Sequence, residues 1–215
     1  MYGTGLLAAP VNVHVRGTIV SVKPDTLIVR TSSGTKVSLA LNGETHYLQV
    51  VRSSLDKIEP GSYIGTATKD IGATQVALGV TIFPAAMRGL NAGHFPYDQL
   101  PDTTISGGPT TASTMTNGNV STVAAAPGAI VNTTMTNGNV SASAAQNGVK
   151  QLTVTYNGGQ QTIVVPPTAP IVSLLPGTLS DVPKGAYVFV DAAQNGSSLT
   201  AQLVAAGVGG LKPPF

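Results

Sequence analysis

Val11, Val13 and Val15 alternate with polar residues, and after Gly17 the apolar positions resume at Ile19, Val20 and Val22. Alternation with a period of two predicts a half-buried strand. A glycine at the phase change marks a bulge or a sharp bend. Asp25–Thr31 (DTLIVRT) and Thr35–Leu41 (TKVSLAL) read as two strands around Ser32-Ser33-Gly34, a hairpin. Ser53–Ile58 carries an N-cap signal and predicts one or two helical turns, which Glu59-Pro60-Gly61 ends. Ser62–Thr68 and Thr74–Phe83 supply two further strands. Three strands, a short helix and two strands are the layout of a five-stranded OB-like barrel.

The second half repeats the pattern. Lys150–Tyr156, the turn Asn157-Gly158-Gly159 and Gln160–Val165 reproduce the first hairpin. Leu179–Val188 (LSDVPKGAYV) aligns with Leu55–Ile64 (LDKIEPGSYI), and Ser198–Ala205 with Thr74–Thr81. Gly138-Asn139-Val140-Ser141 is expected to stand where Gly17-Thr18-Ile19-Val20 stands in the first copy. The chain therefore predicts an all-β fold of two tandem OB-like β-barrel modules joined by a Thr/Gly/Asn-rich connector. The expected boundaries are 1–10 for an N-terminal arm, 11–88 for the first module and 89–137 for the connector. The second module is expected over 138–208, with a C-terminal tail over 209–215.

The connector changes the picture most. From Thr103 to Val149 there is no Asp, Glu, Lys, Arg or His, and TMTNGNVS occurs twice, at Thr114–Ser121 and Thr134–Ser141. A charge-free stretch is poorly suited to a solvent-facing surface, and an internal repeat suggests units that stack on a neighbour. Thr114, Met115, Asn117, Thr134, Met135 and Asn137 are accordingly expected to be self-association contacts, together with Leu6 and Leu7 of the apolar N-terminal arm. Such an arm can add to a neighbour's sheet, and the partner expected is a copy of the same chain.

Composition narrows the function classes. Of 215 residues only 9% are charged, 11 basic and 9 acidic residues are interspersed, and the net charge is +2. No basic groove is marked out for nucleic acid, aromatic residues are 5% and tryptophan is absent. No apolar run approaches the length of a membrane span. There is no cysteine, so neither a disulfide framework nor a thiolate metal site forms. No signal peptide is visible at the N-terminus; the low charge still suits an exported, extracytoplasmic protein.

Candidate chemistry is sparse. Gly93-His94-Phe95-Pro96-Tyr97-Asp98 is the densest polar-aromatic cluster. His94 and Asp98 are the candidate metal ligands there, with Tyr97 lining a pocket for a small polar ligand. Zinc needs three or four convergent ligands, and only His14 and His46 remain to add imidazole. The competing expectation for this cluster is a structural connector in which Pro96 fixes the path. Gly3-Thr4-Gly5-Leu6-Leu7-Ala8 has the spacing of a dinucleotide fingerprint but lacks the strand before it and the helix after it. No nucleophile elbow and no oriented base are visible, so the chain is expected to be no enzyme and to carry no cofactor.

Several segments together resemble a known family. They are Arg16–Ile19, Ile58–Gly61, Ile82–Gly89, Gly93–Asp98, Ser113–Asn117 and Ile163–Pro167. In these the chain is similar to uncharacterised exported proteins of alphaproteobacteria built from OB-like β-barrel units. The resemblance spans nearly the whole chain and implies an extracytoplasmic β-protein without assigned catalytic residues. This chain departs from it in having fewer Lys, Asp and Glu and an added TMTNGNVS unit. The expected function is a non-catalytic exported structural protein that self-associates into a filament or surface layer. The rival from another class is a periplasmic binding module for a metal ion or small polar ligand around His94, Tyr97 and Asp98.

Overall fold

The computed structural model describes residues 11–104, 109–125 and 149–215. Among them the protein is all-β. In chain order the strands are β1 (Val11–Lys23), β2 (Thr26–Thr31), β3 (Lys36–Ala40), β4 (His46–Arg52), β5 (Tyr63–Ile71), β6 (Thr74–Ile82) and β7 (Gly93–Pro101). Then follow β8 (Thr110–Ala125), β9 (Lys150–Tyr156), β10 (Gly159–Val165), β11 (Ile171–Gly177), β12 (Tyr187–Asn195) and β13 (Ser198–Gly207). The helical turn foreseen at Ser53–Ile58 is a single 3-10 turn, Leu55–Lys57, and the aligned segment of the second repeat forms another, Leu179–Asp181.

The chain divides into two compact units, and neither is contiguous. The first takes residues 11–51 and Leu175–Pro213; the second takes Arg52–Leu174 and Pro214–Phe215. In the first unit β1 pairs with β2, β2 with β3, β1 with β12 and β12 with β13. Thr200 of β13 meets Ala40 of β3 in parallel, which closes five strands into a ring. In the second unit β8 pairs with β9, β9 with β10, β8 with β5 and β5 with β6. Here Ile163–Val164 of β10 run parallel to Gln75–Val76 of β6, and a second ring closes.

Each ring is therefore assembled from both repeats. The first three strands of one repeat close with the last two strands of the other. The expected contiguous modules 11–88 and 138–208 are corrected accordingly, and so is the 89–137 connector, because it contains β7 and the ring strand β8. Residues 209–215 are no detached tail either: Phe215 packs in the second unit with Phe95, Tyr97 and Met115.

The physical reason lies in the cores. Ile19, Leu27, Val29, Leu39, Val188 and Val204 fill the first ring. Val120, Leu152, Val154, Ile163, Ile64 and Val80 hold the same places in the second. Each fully buried side chain of this size contributes roughly 1.5–3 kcal/mol. Alternation specifies that Leu27 faces a core; with Leu152 so nearly interchangeable, it does not specify which strands close that core.

Gly17 and Gly118 are the matching landmarks. Gly17 is the point where β1 lies against both Val188 of β12 and Thr31 of β2. A Cβ there would run into the Arg30 carbonyl and Val29. At Gly118, in β8, a Cβ would run into the Thr155 carbonyl and Val154 in the same manner. Gly118, from the first TMTNGNVS, thus stands where Gly138 was expected.

Candidate functional site

Upstream of Gly17, β1 pairs with β12. Val11–Thr18 run in unbroken antiparallel register with Gln194–Tyr187. The Ile19 amide donates to the Ala186 carbonyl (2.9 Å), and the Ile19 carbonyl accepts from Gly185 (2.8 Å). Backbone groups alternate sides along an antiparallel strand. Odd residues of this stretch therefore turn their backbone groups toward β12, and Asn12, His14 and Arg16 turn theirs away from it. His14 lies tilted against Phe189, with ring centroids 5.2 Å apart, and the Arg16 guanidinium sits 5.0 Å from the same ring. Such a cation–π contact holds Arg16 against its own sheet. At the strand's start Val11 is 63% exposed.

In the second unit β7 covers the outer edge of β8. The Val120 amide donates to Ser62, and Gly61 donates back, so even residues of β8 face β5. Ser113, Met115 and Asn117 face the other way and are met by Tyr97, Phe95 and Gly93 of β7. The alternation leaves His94 and Pro96 turned to the outer side of β7. Proline has no N–H to offer there, which is a common way of ending a sheet. The outer edge of β8 is thus capped by a proline-bearing strand.

The residues expected to make contacts between copies fall into two groups. Leu6, Leu7, Thr134, Met135 and Asn137 lie outside the described residues. Thr114, Met115 and Asn117 lie in β8 between β5 and β7, and Met115 and Asn117 are buried. Asn117 Nδ2 donates to the Asn91 carbonyl at 3.1 Å. This first TMTNGNVS copy is consumed inside its own ring, so its role as an exposed contact is corrected.

His94 and Asp98 are not gathered into a metal centre. Four residues of extended strand separate their Cα atoms by about 13 Å, whereas ligands stand about 2 Å from a zinc ion. His94 Nδ1 lies 2.9 Å from Thr116 Oγ1, and its ring stacks toward Tyr156 with centroids 6.2 Å apart. Tyr97 points to the opposite face and packs with Leu100 and Met115. Asp98 sits where the β7–β8 register shifts, and its carbonyl accepts from Ser113 Oγ at 2.6 Å. Among the described residues no three metal-binding side chains converge.

The residues after β7 hold an ion pair that the sequence did not advertise. Lys69 Nζ lies 2.6 Å from Asp102 Oδ2, and both side chains are nearly buried. Thr104 donates to Asp102 Oδ1 through its amide (3.0 Å) and its hydroxyl (2.7 Å). Burial alone would raise the Asp102 carboxyl. The Lys69 ammonium and the two Thr104 donors outweigh it and hold the group below the ordinary carboxylate range. The only sequence signal was negative: Asp102 is the last charge before the uncharged stretch.

No family model, no curated protein and no solved structure matches this chain. No helix among the described residues is long and apolar enough to cross a membrane.

Proposed function

We propose that this is a non-catalytic structural protein that self-associates by strand addition, as the subunit of an extracellular filament or surface layer. Its two rings are OB-like barrels in this reading. Support comes from the parallel closure of β3 on β13 and of β10 on β6, and from the short helical turn before the fourth strand of each ring. The exported setting rests on the resemblance to alphaproteobacterial exported proteins.

The observation that carries the proposal is the stretch from Thr103 to Val149, which holds no Asp, Glu, Lys, Arg or His and repeats TMTNGNVS. Charge is the usual guard against pairing with another strand, and an extended segment can add to a neighbour's sheet. The added segment in this reading is the apolar arm of a neighbouring copy, with Leu6 and Leu7. Addition of one copy's arm to the next copy's sheet is head-to-tail, and such contacts build open filaments when the rotation does not close.

Leu6→Lys together with Leu7→Lys tests the arm directly. The substitutions place two charges on the apolar arm, a usual guard against strand addition, and leave β1–β13 unaltered. The expected result is filaments from the native protein by electron microscopy and monomers from the double variant, with the melting temperature nearly unchanged. Filaments of equal length and number from both proteins would show that this arm is not the assembly contact. A native protein that stays monomeric at high concentration would remove the proposal altogether.

A further inference from the structure

We infer that the β8 position of the second ring is a strand-binding slot with two cognate occupants in the same chain, and that residues 133–145 fill it when residues 113–125 are barred. The slot makes demands residue by residue. Met115 enters an apolar cluster with Leu100 and Ala67, and Val120 is 1% exposed in the ring core. Thr116 meets His94, Asn117 donates to the Asn91 carbonyl, and Asn119 accepts from Arg88 at 2.5 Å. At Gly118 any side chain would strike the Thr155 carbonyl.

The second TMTNGNVS meets each demand with the same residue twenty positions on: Met135, Thr136, Asn137, Gly138, Asn139 and Val140. Generic strand sequence needs only alternation. Retaining a glycine at the one position that excludes Cβ, and an asparagine on each side of it, is a fit to this slot. The connections also permit the exchange. With the first copy in place the link to β9 is residues 126–149; with the second it shortens to 146–149, an ordinary hairpin length.

Two differences favour the first copy in the native chain. Val123 packs against the ring core, where the second copy would bring Ser143. The Asp102 amide donates to the Pro109 carbonyl at 3.1 Å, a contact that the longer β7 link would give up. The slot is thus biased toward residues 113–125 and retains a second occupant.

Gly118→Val, Gly138→Val and the double variant of the full chain test this, read by hydrogen exchange and mass spectrometry. Peptides from the two copies differ in their flanks and are told apart by mass. In Gly118→Val, exchange over 134–141 should slow by about tenfold or more relative to the native chain, while β5 and β9 stay protected. Gly138→Val alone should leave the native pattern over 114–121, and the double variant should expose β5 and β9. The inference is overturned if Gly118→Val exposes β5 and β9 as fully as the double variant, with 134–141 exchanging as in the native chain.

Discussion

Gly17→Val is expected to destabilise the first ring by about 3 kcal/mol or more, the upper end of the cost of forcing atoms into a packed site. The new Cβ would run into the Arg30 carbonyl, a backbone atom that moves only by opening the β1–β2 pairing. Against a total of roughly 5–15 kcal/mol for a domain, that loss is large. The chain carries no second copy of the segment around Gly17. Gly17→Val and Gly118→Val therefore place the same atom against equivalent carbonyls and should differ widely in effect. Urea unfolding followed by intrinsic tyrosine fluorescence and circular dichroism measures both. Equal loss in the two variants would mean that the second TMTNGNVS gives the second ring no reserve.

Asp102→Ala is expected to cost about 3–5 kcal/mol, because it leaves the Lys69 ammonium nearly buried without its carboxylate. Replacing both partners, Lys69→Met with Asp102→Leu, should recover most of that loss, since apolar pairs of similar volume are tolerated in such sites. The pH dependence follows from the lowered carboxyl. A group whose native pKa lies below its unfolded value of about 3.9 stabilises fully above that value. Its contribution drains away as pH falls from about 4 through the lower native pKa. The native protein should lose stability across that acid range, and Asp102→Ala should lose less there. Parallel acid titrations of the two proteins by circular dichroism would read the difference. Superimposable acid profiles would show that Asp102 is not held low.

Much of the local structure was legible. Alternation at Val11–Val15, the hairpin turns at Ser32-Ser33-Gly34 and Asn157-Gly158-Gly159, and the matched Leu55 and Leu179 segments all became the elements they predicted. The closure of the rings was not. Val188 and Ile64 are equally good neighbours for the strand that bends at Gly17 or Gly118, so pattern alone admits a contiguous barrel or an exchanged one. The repeat also misled: two identical octapeptides compete for one alignment with Gly17, and the later copy lies nearer to Lys150 and the hairpin that follows. Choosing it placed β8 in the connector and made Met115 and Asn117 look free. The place of Gly93–Asp98 was hidden for a related reason. With β8 read as connector that cluster had no strand to cover, and only the pairing of Gly93, Phe95 and Tyr97 with Asn117, Met115 and Ser113 shows it as the cap of β8.

The exchange of halves between the two rings has a direct test in engineered cysteines, since the chain has none of its own. Val11 lies opposite Gln194 in the exchanged arrangement. In a contiguous first barrel its neighbour would be Asp70, the residue that matches Gln194 in the other repeat. Opposed residues of this kind stand about 5.5 Å apart at Cα, within disulfide range. Val11→Cys with Gln194→Cys should form an intramolecular disulfide under mild oxidation, and Val11→Cys with Asp70→Cys should not. A disulfide in the second pair and none in the first would contradict the exchanged rings.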